Sequence, residues 1–244
     1  MFDILYEQTY TLQLKYLAAM LDMFNPRIGQ LPEDNIVDEM IDAEYVIYNR
    51  ENKTFQLATN YRMLVDCFLN TNTAVNIEAP KVKEMNSTLS LYYLNNRRHM
   101  LVLIHLDENE PDNGLVEVAI SSKTSSTTKL FERIGADMGV NSAIVQAESF
   151  DADNLPVEYK RCYDDSLKNN TLFRVTLYDQ ETNGEDGVLA VFAAFPSTDQ
   201  RVWLTAMRQK FRKKGKPVLV QKLCLDEYKK QLTAFFDLFE KQMQ

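Results

Sequence analysis

Apolar residues recur along this 244-residue chain with two spacings, one typical of helices and one typical of strands. Spacings of three and four residues predict helices over residues 2–24, 32–43 and 59–69. Between the last two, residues 45–48 and 54–57 alternate as in a β-hairpin. The first 80 residues are therefore predicted to form a small helical region that contains a hairpin.

From residue 85 onward, strand and helix patterns alternate along the chain. Strands are predicted over residues 89–94, 99–107, 115–121, 142–147, 171–178, 188–195 and 218–223, and helices over 127–138, 156–167, 197–214 and 226–243. The start Ser197-Thr198-Asp199-Gln200 matches a capping box, and Gly215 follows the end of that helix. The predicted fold class is α+β, with a mixed sheet flanked by helices in residues 85–244.

The order of the predicted elements suggests an internal duplication. Residues 99–168 run strand, strand, helix, strand, helix, and residues 171–243 repeat that order at nearly the same length. Both units place an acidic turn ending in glycine between their paired strands, and both begin the last helix with Glu-Tyr-Lys, at residues 158–160 and 227–229. If the duplication is real, the two units should superpose.

The composition excludes several classes of protein. With 45% hydrophobic and 25% charged residues and only seven glycines, the chain is neither disordered nor collagen-like. Its three cysteines are widely spaced, without a C-x-x-C pair, which is typical of reduced thiols in the cytoplasm. The N-terminus does not resemble a secretory signal, and no apolar run approaches the roughly 20 residues of a membrane span. We therefore expect a cytoplasmic protein that contacts no membrane and uses no cofactor.

Positive charge is concentrated near the C-terminus. Residues 201–244 contain eleven Lys and Arg against four Asp and Glu, whereas residues 1–200 contain 16 against 31. Six of these cations form what we call the basic segment, residues 208–216: Arg208, Lys210, Arg212, Lys213, Lys214 and Lys216. This density exceeds what helix capping requires. It predicts a contact surface for the phosphates of a nucleic acid, for an acidic protein, or for the acidic body of the chain itself.

The last predicted helix has an apolar stripe at helical spacing. The stripe consists of Tyr228, Leu232, Phe235, Phe236, Phe239 and Met243. Such a stripe usually packs in the core. A terminal helix this rich in aromatic residues is also a surface through which two copies of the chain could form a homo-oligomer.

Part of the chain resembles an enzyme family. The order helix, three strands, helix and strand, over about residues 59–148, resembles the core of the PD-(D/E)xK nucleases. Asp107 ends one predicted strand and Glu117 lies in the next, and the resemblance implies that they hold Mg²⁺ for phosphodiester hydrolysis. The family's lysine position, two residues after the glutamate, is Ala119 here. A solvent-facing strand residue would explain Glu117 equally well, because apolar residues flank it.

The two histidines, His99 and His105, are expected to have no catalytic role. Six residues apart on one strand, they share a face but lie about 20 Å from each other, too far to bind one metal ion. No motif supports a nucleophile–histidine–acid triad. We therefore expect them to be surface or half-buried residues.

These observations favour a non-catalytic interaction or assembly protein that contacts a nucleic acid or an acidic protein through the basic segment. No catalytic or metal-ligating residue is assigned in this interpretation. Two alternatives stay open. One is a metal-dependent nuclease-like enzyme that uses Asp107 and Glu117, and the other is an acidic inhibitor that mimics nucleic acid.

Overall fold

The computed structural model describes residues 8–71, 73–79, 86–94, 98–107, 109–110, 113–121, 146–179, 188–208 and 219–242. These residues form five helices and twelve strands, an α+β fold that is mostly sheet. The helices are α1 (Leu14–Phe24), α2 (Asp34–Asp42), α3 (Thr59–Leu69), α4 (Val157–Lys168) and α5 (Leu225–Gln242). None of the helices in this part of the chain has the length and apolarity needed to cross a membrane.

The strands are β1 (Gln8–Gln13), β2 (Val46–Asn49), β3 (Thr54–Leu57), β4 (Thr73–Glu78), β5 (Ser87–Leu94), β6 (Arg98–His105), β7 (Leu115–Ser121), β8 (Glu148–Phe150), β9 (Phe173–Asp179), β10 (Val188–Pro196), β11 (Val202–Arg208) and β12 (Leu219–Leu223). Ten of them form one sheet in the order β1-β7-β6-β5-β4-β9-β10-β11-β12-β8, and β2 pairs with β3 in a separate hairpin. Every pairing in the large sheet is antiparallel, so the expectation of a mixed sheet is wrong. Most neighbouring strands follow one another directly in the chain, and such connections favour antiparallel pairing.

The strand order is symmetric about the central β4–β9 pair. On each side of that pair, the chain runs from an edge strand through one or more helices into four consecutive antiparallel strands. The last of these four strands pairs with the edge strand. The first half contains β1, α1–α3 and β4–β7, and the second contains β8, α4 and β9–β12. The two halves therefore follow the same path through the sheet.

In the first half, two strands occupy positions where the sequence predicted other structure. Residues 8–13, expected to be helical, form β1, and α1 begins only at Leu14. Tyr10 and Leu12 alternate with exposed threonines, and both are buried where β1 pairs with β7. Residues 73–78, expected to be a boundary between regions, form β4 at the centre of the sheet.

The helix predicted over residues 197–214 is wrong for residues 202–208, which form β11. Ser197 begins a turn, because its N–H donates to the carbonyl of Arg201 at 2.8 Å and its Oγ accepts the Arg201 N–H at 2.9 Å. Gln200 has a φ of 63°, a left-handed conformation that does not fit within an α-helix. A spacing of four residues, as between positions 203 and 207, is common to one face of a helix and one face of a strand.

The structure does not confirm the duplication proposed for residues 99–168 and 171–243. The second unit contains four strands before its helix, because β11 replaces the predicted helix. The matching helix of the first unit, predicted over residues 127–138, lies outside the described residues. The division into a region of residues 1–80 and a body of residues 85–244 stays a prediction.

Each face of the large sheet packs differently. On the face that we call the α1–α4 face, two separate cores form, one beneath α1–α3 in the first half and one beneath α4 in the second. On the opposite α5 face, one continuous core contains residues of both halves, including Val75 and Leu103 from the first and Phe192 from the second. Tyr228 and Leu232 of α5 pack into this shared core.

Replacing Trp203 tests the packing beneath α4. The indole is fully buried, with ring centroids 5.1 Å from Phe150 and 5.3 Å from Tyr159. We expect Trp203→Ala to lower the free energy of unfolding by about 3–5 kcal/mol, because a large cavity remains. Urea denaturation followed by far-UV circular dichroism measures this. Val157→Ala is the control, because Val157 is 87% exposed. A loss below about 1 kcal/mol in Trp203→Ala would contradict the packing described.

Candidate functional site

The predicted partner-binding residues begin at the end of a strand. Arg208 is the last residue of β11, and Lys210, Arg212, Lys213, Lys214 and Lys216 lie outside the described residues. Because β11 and β12 are antiparallel neighbours, the chain between them leaves and re-enters the sheet at the same end. The basic segment therefore belongs to a strand-to-strand connection.

An ion-pair network with a buried lysine and partly exposed carboxylates lies at the other end of β11 and β12, on the α1–α4 face. At its centre is Lys222, whose side chain is 6% exposed. Its Nζ lies 3.0 Å from the carboxylates of both Glu158 and Asp199, and 5.2 Å from the ring centroid of Trp203. Two carboxylates and an aromatic face offset the cost of removing this ammonium group from water.

Arg201 extends the network to the edge of the sheet. Its guanidinium is 2.6 Å from Glu148 on β8 and 2.8 Å from Asp199, so Asp199 contacts both cations. Burial raises the pKa of Asp199, but hydrogen bonds from Arg201, Ser197 and Lys222 outweigh it and hold that pKa well below its ordinary value. The hydrogen bond with Asp199 raises the pKa of Arg201. The Asp199 carboxylate therefore stays ionised in the folded protein at neutral pH.

Glu158 connects the network to the first turn of α4. Its carboxylate accepts hydrogen bonds from the N–H and hydroxyl of Thr198, in addition to those from Lys222. Burial raises the pKa of Glu158, but these hydrogen bonds and the ammonium charge lower it overall. The network thus fixes α4 and the β10–β11 turn to the end of β12.

Among the residues that the structure describes, four cations of residues 201–244 have ion-pair partners. Arg201 and Lys222 belong to the network above, and two lysines of α5 pair within that helix: Lys229 with Asp226 at 4.0 Å and Lys230 with Glu227 at 2.7 Å. Six of the remaining seven cations lie in the basic segment. The positive excess seen in the sequence therefore rests mainly on that segment.

A second polar cluster lies on the α5 face, where β6 ends. His105 Nδ1 is 2.9 Å from Ser87 Oγ, and His105 Nε2 is 2.8 Å from Glu117 Oε1. Ser87 begins β5 directly opposite His105, and Glu117 lies diagonally opposite on β7. Ser87 is 8% exposed, whereas the side chains of His105 and Glu117 are 24% and 32% exposed. The cluster therefore forms a row across three neighbouring strands, with its base and acid partly open to solvent.

The partners of His105 define where its protons lie. An ionised Glu117 only accepts hydrogen bonds, so Nε2 of His105 must carry the hydrogen it donates. In the neutral ring, Nδ1 then has a lone pair that accepts the hydroxyl hydrogen of Ser87. A hydroxyl that donates to a histidine held by a carboxylate is the arrangement from which nucleophilic catalysis starts.

Sequence reasoning named His105 and Glu117 but missed their connection to each other and to Ser87. The three residues come from three strands and share no local motif, so only the pairing register brings them together. A weak signal existed: each is a polar residue two positions from a buried apolar residue on the same strand face, namely Leu89, Leu103 or Ala119.

The proposed nuclease carboxylates each have partners within the protein. Glu117 pairs with His105, and Asp107 Oδ1 accepts the backbone N–H groups of Asn109 and Glu110 at 2.9 and 3.2 Å. Within the described ranges, no group of three or more His, Cys, Asp or Glu could hold a metal ion. The expectation of surface or half-buried histidines is wrong for His99, which is 3% exposed near the opposite end of β6; His105 is half-buried.

No protein-family model matches this sequence, and no curated protein matches it. The functional argument therefore rests on the charges and geometry described above.

Acidification should weaken the protein through Asp199. Because folding lowers the pKa of this carboxylate, its ion pairs stabilise the fold above the unfolded pKa and lose that contribution as the pH falls through the folded one. We expect the free energy of unfolding, from urea denaturation, to fall between about pH 5 and pH 2. Asp199→Asn should be less stable at neutral pH and should show a shallower pH dependence. The control is Asp164→Asn, at an exposed position of α4, which should keep the pH dependence of the wild-type stability. Identical pH profiles for all three proteins would refute the stabilising role of Asp199.

Proposed function

We propose that this protein is an interaction protein that contacts the phosphates of a nucleic acid through the basic segment. The observation that carries the proposal is the internal pairing of Arg201, Lys222, Lys229 and Lys230. With those charges compensated, positive charge is concentrated in one connection at one end of the sheet. In a chain with a net charge of −8, this positively charged segment is the part to which a polyanion would bind.

Phosphates fit this segment better than an acidic protein does. Nucleic acids present closely spaced negative charges, and several Lys and Arg side chains in one connection can neutralise several phosphates while releasing counterions. Contacts of this kind carry no base recognition, so we expect DNA and RNA of different sequences to bind similarly. An acidic protein partner is the competing interpretation and predicts no binding of oligonucleotides.

An internal contact is the other competitor. The β9–β10 connection, residues 180–187, contains Glu181, Glu185 and Asp186 and leaves the sheet at the same end as the basic segment. Attraction between the two connections would weaken oligonucleotide binding. Changing these three acids to Gln should therefore strengthen such binding if the connections compete.

The nuclease-like alternative with Asp107 and Glu117 and the acidic inhibitor stay predictions. So do the cytoplasmic location and self-association through α5. Incubating the labelled oligonucleotides with Mg²⁺ and the protein tests the nuclease, since cleavage would appear as shorter products.

Fluorescence anisotropy with labelled DNA and RNA tests the proposed contact. We expect binding that weakens about 100-fold between roughly 50 and 200 mM salt, because four neutralised phosphates give a slope near −3.6 in log K against log salt. Changing Lys210, Arg212, Lys213 and Lys214 to Glu should abolish it.

The matched control changes Lys53, Arg62, Lys160 and Lys168 to Glu. These four residues are exposed and lie elsewhere on the protein, and the substitutions change the net charge by the same amount. The control should keep most of the binding. Equal loss in both variants would mean that only overall charge matters, and no binding of the wild-type protein at low salt would reject the proposal.

A further inference from the structure

The row of Ser87, His105 and Glu117 has the connections that an acyl-transfer site requires. Its hydrogen bonds are 2.9 and 2.8 Å, both within the range in which protons pass between side chains. The three groups lie on adjacent strands of a ten-stranded sheet, so backbone pairing fixes their separation. Sites built on paired strands hold side chains more rigidly than sites built on loops.

The surroundings of the row add a second observation. Leu106 and Leu115 flank His105, one next in the chain and one opposite it on β7, and they are 43% and 39% exposed. The same corner therefore presents an apolar surface beside the base.

We propose that Ser87 is a nucleophile activated by His105, with Glu117 as the positioning residue, for hydrolysis of carboxylic esters that carry an apolar group. The exposed leucines would contact that apolar group. This activity does not rest on the proposed nucleic-acid contact, which lies at the other end of the sheet. It would make the protein an enzyme as well as an interaction protein.

Hydrolysis of the ester by these residues requires only water as a second reactant. Ser87 Oγ attacks the carbonyl carbon while its proton moves to His105 Nδ1, and the leaving alkoxide takes that proton as its bond to carbon breaks. Water then gives a proton to Nδ1 and attacks the acyl carbon. The bond between that carbon and Ser87 Oγ breaks, Nδ1 returns its proton to Oγ, and the carboxylic acid leaves. Glu117 holds the Nε2 hydrogen throughout and stabilises the imidazolium.

A fluorophosphonate tests the nucleophile, because it phosphonylates an activated serine with loss of fluoride. We expect peptide mapping of the labelled wild-type protein to find the adduct on Ser87, and p-nitrophenyl butyrate to be hydrolysed. His105→Gln and Glu117→Gln should slow both reactions by about 100-fold or more, the usual contribution of a general base. Ser90→Ala is the matched control: Ser90 lies on the same strand but on the other face, where it donates to Asn76, and this variant should react like the wild type.

A spectroscopic measurement separates positioning by Glu117 from a merely structural role. The chain has two histidines, so the ring ¹⁵N signals of a His99→Gln protein report His105 alone. We expect the Nε2-protonated tautomer, and its loss in Glu117→Gln while circular dichroism stays unchanged. The proposal is overturned if the folded wild-type protein gives no adduct on Ser87, or if His105→Gln labels that serine at the wild-type rate.

Discussion

The antiparallel pairing of β4 with β9 is the contact on which the rest of this structure depends. Its register runs from Thr73 opposite Asp179 to Glu78 opposite Arg174, and it is the only strand pairing that joins the two halves within the described part of the chain. Without it, the single ten-stranded sheet would become two five-stranded ones, each with a new unpaired edge. These six residue pairs therefore set where the row of Ser87, His105 and Glu117 lies relative to the ion-pair network and the basic segment.

The two faces of the sheet are packed differently at the β4–β9 pairing. On the α5 face, Val75 and Ile77 of β4 and Val175 and Leu177 of β9 are all buried in one core, so apolar burial reinforces the backbone pairing. On the other face, the junction is polar: Ser90 donates to Asn76, and Arg174 lies 3.5 Å from Glu78. Apolar layers under α1–α3 and under α4 stop on either side of it. Apolar packing between the halves is thus confined to the α5 face, and the other face contributes polar contacts.

Sequence patterns predicted the elements whose signals are local. The ends of α3, at residues 59 and 69, agree with the prediction, as do the hairpins β2–β3 and β9–β10 to within a few residues. The failures are strands whose identity depends on distant neighbours. β11 has a spacing that suits both a helix and a strand, and the flanking strands β10 and β12 decide between them. Its apparent capping signal at Ser197 serves a turn instead, because Gln200 is left-handed. The contact of Ser87, His105 and Glu117 was beyond sequence reasoning for the same reason, since pairing register alone creates it.

The symmetric strand order places the two functional candidates in corresponding positions. His105 ends the third of the four consecutive strands in the first half, and Arg208 ends the third in the second half. Each sits opposite the start of the strand before it, Ser87 for His105 and Ala190 for Arg208. Because β6 and β11 run in opposite directions, these corners lie at opposite ends of the sheet. The strand end from which the basic segment continues is therefore at the opposite end of the sheet from Ser87. The two halves thus share one strand order but differ in their polar residues: the second half contains the basic segment, and the first contains the serine–histidine–glutamate row.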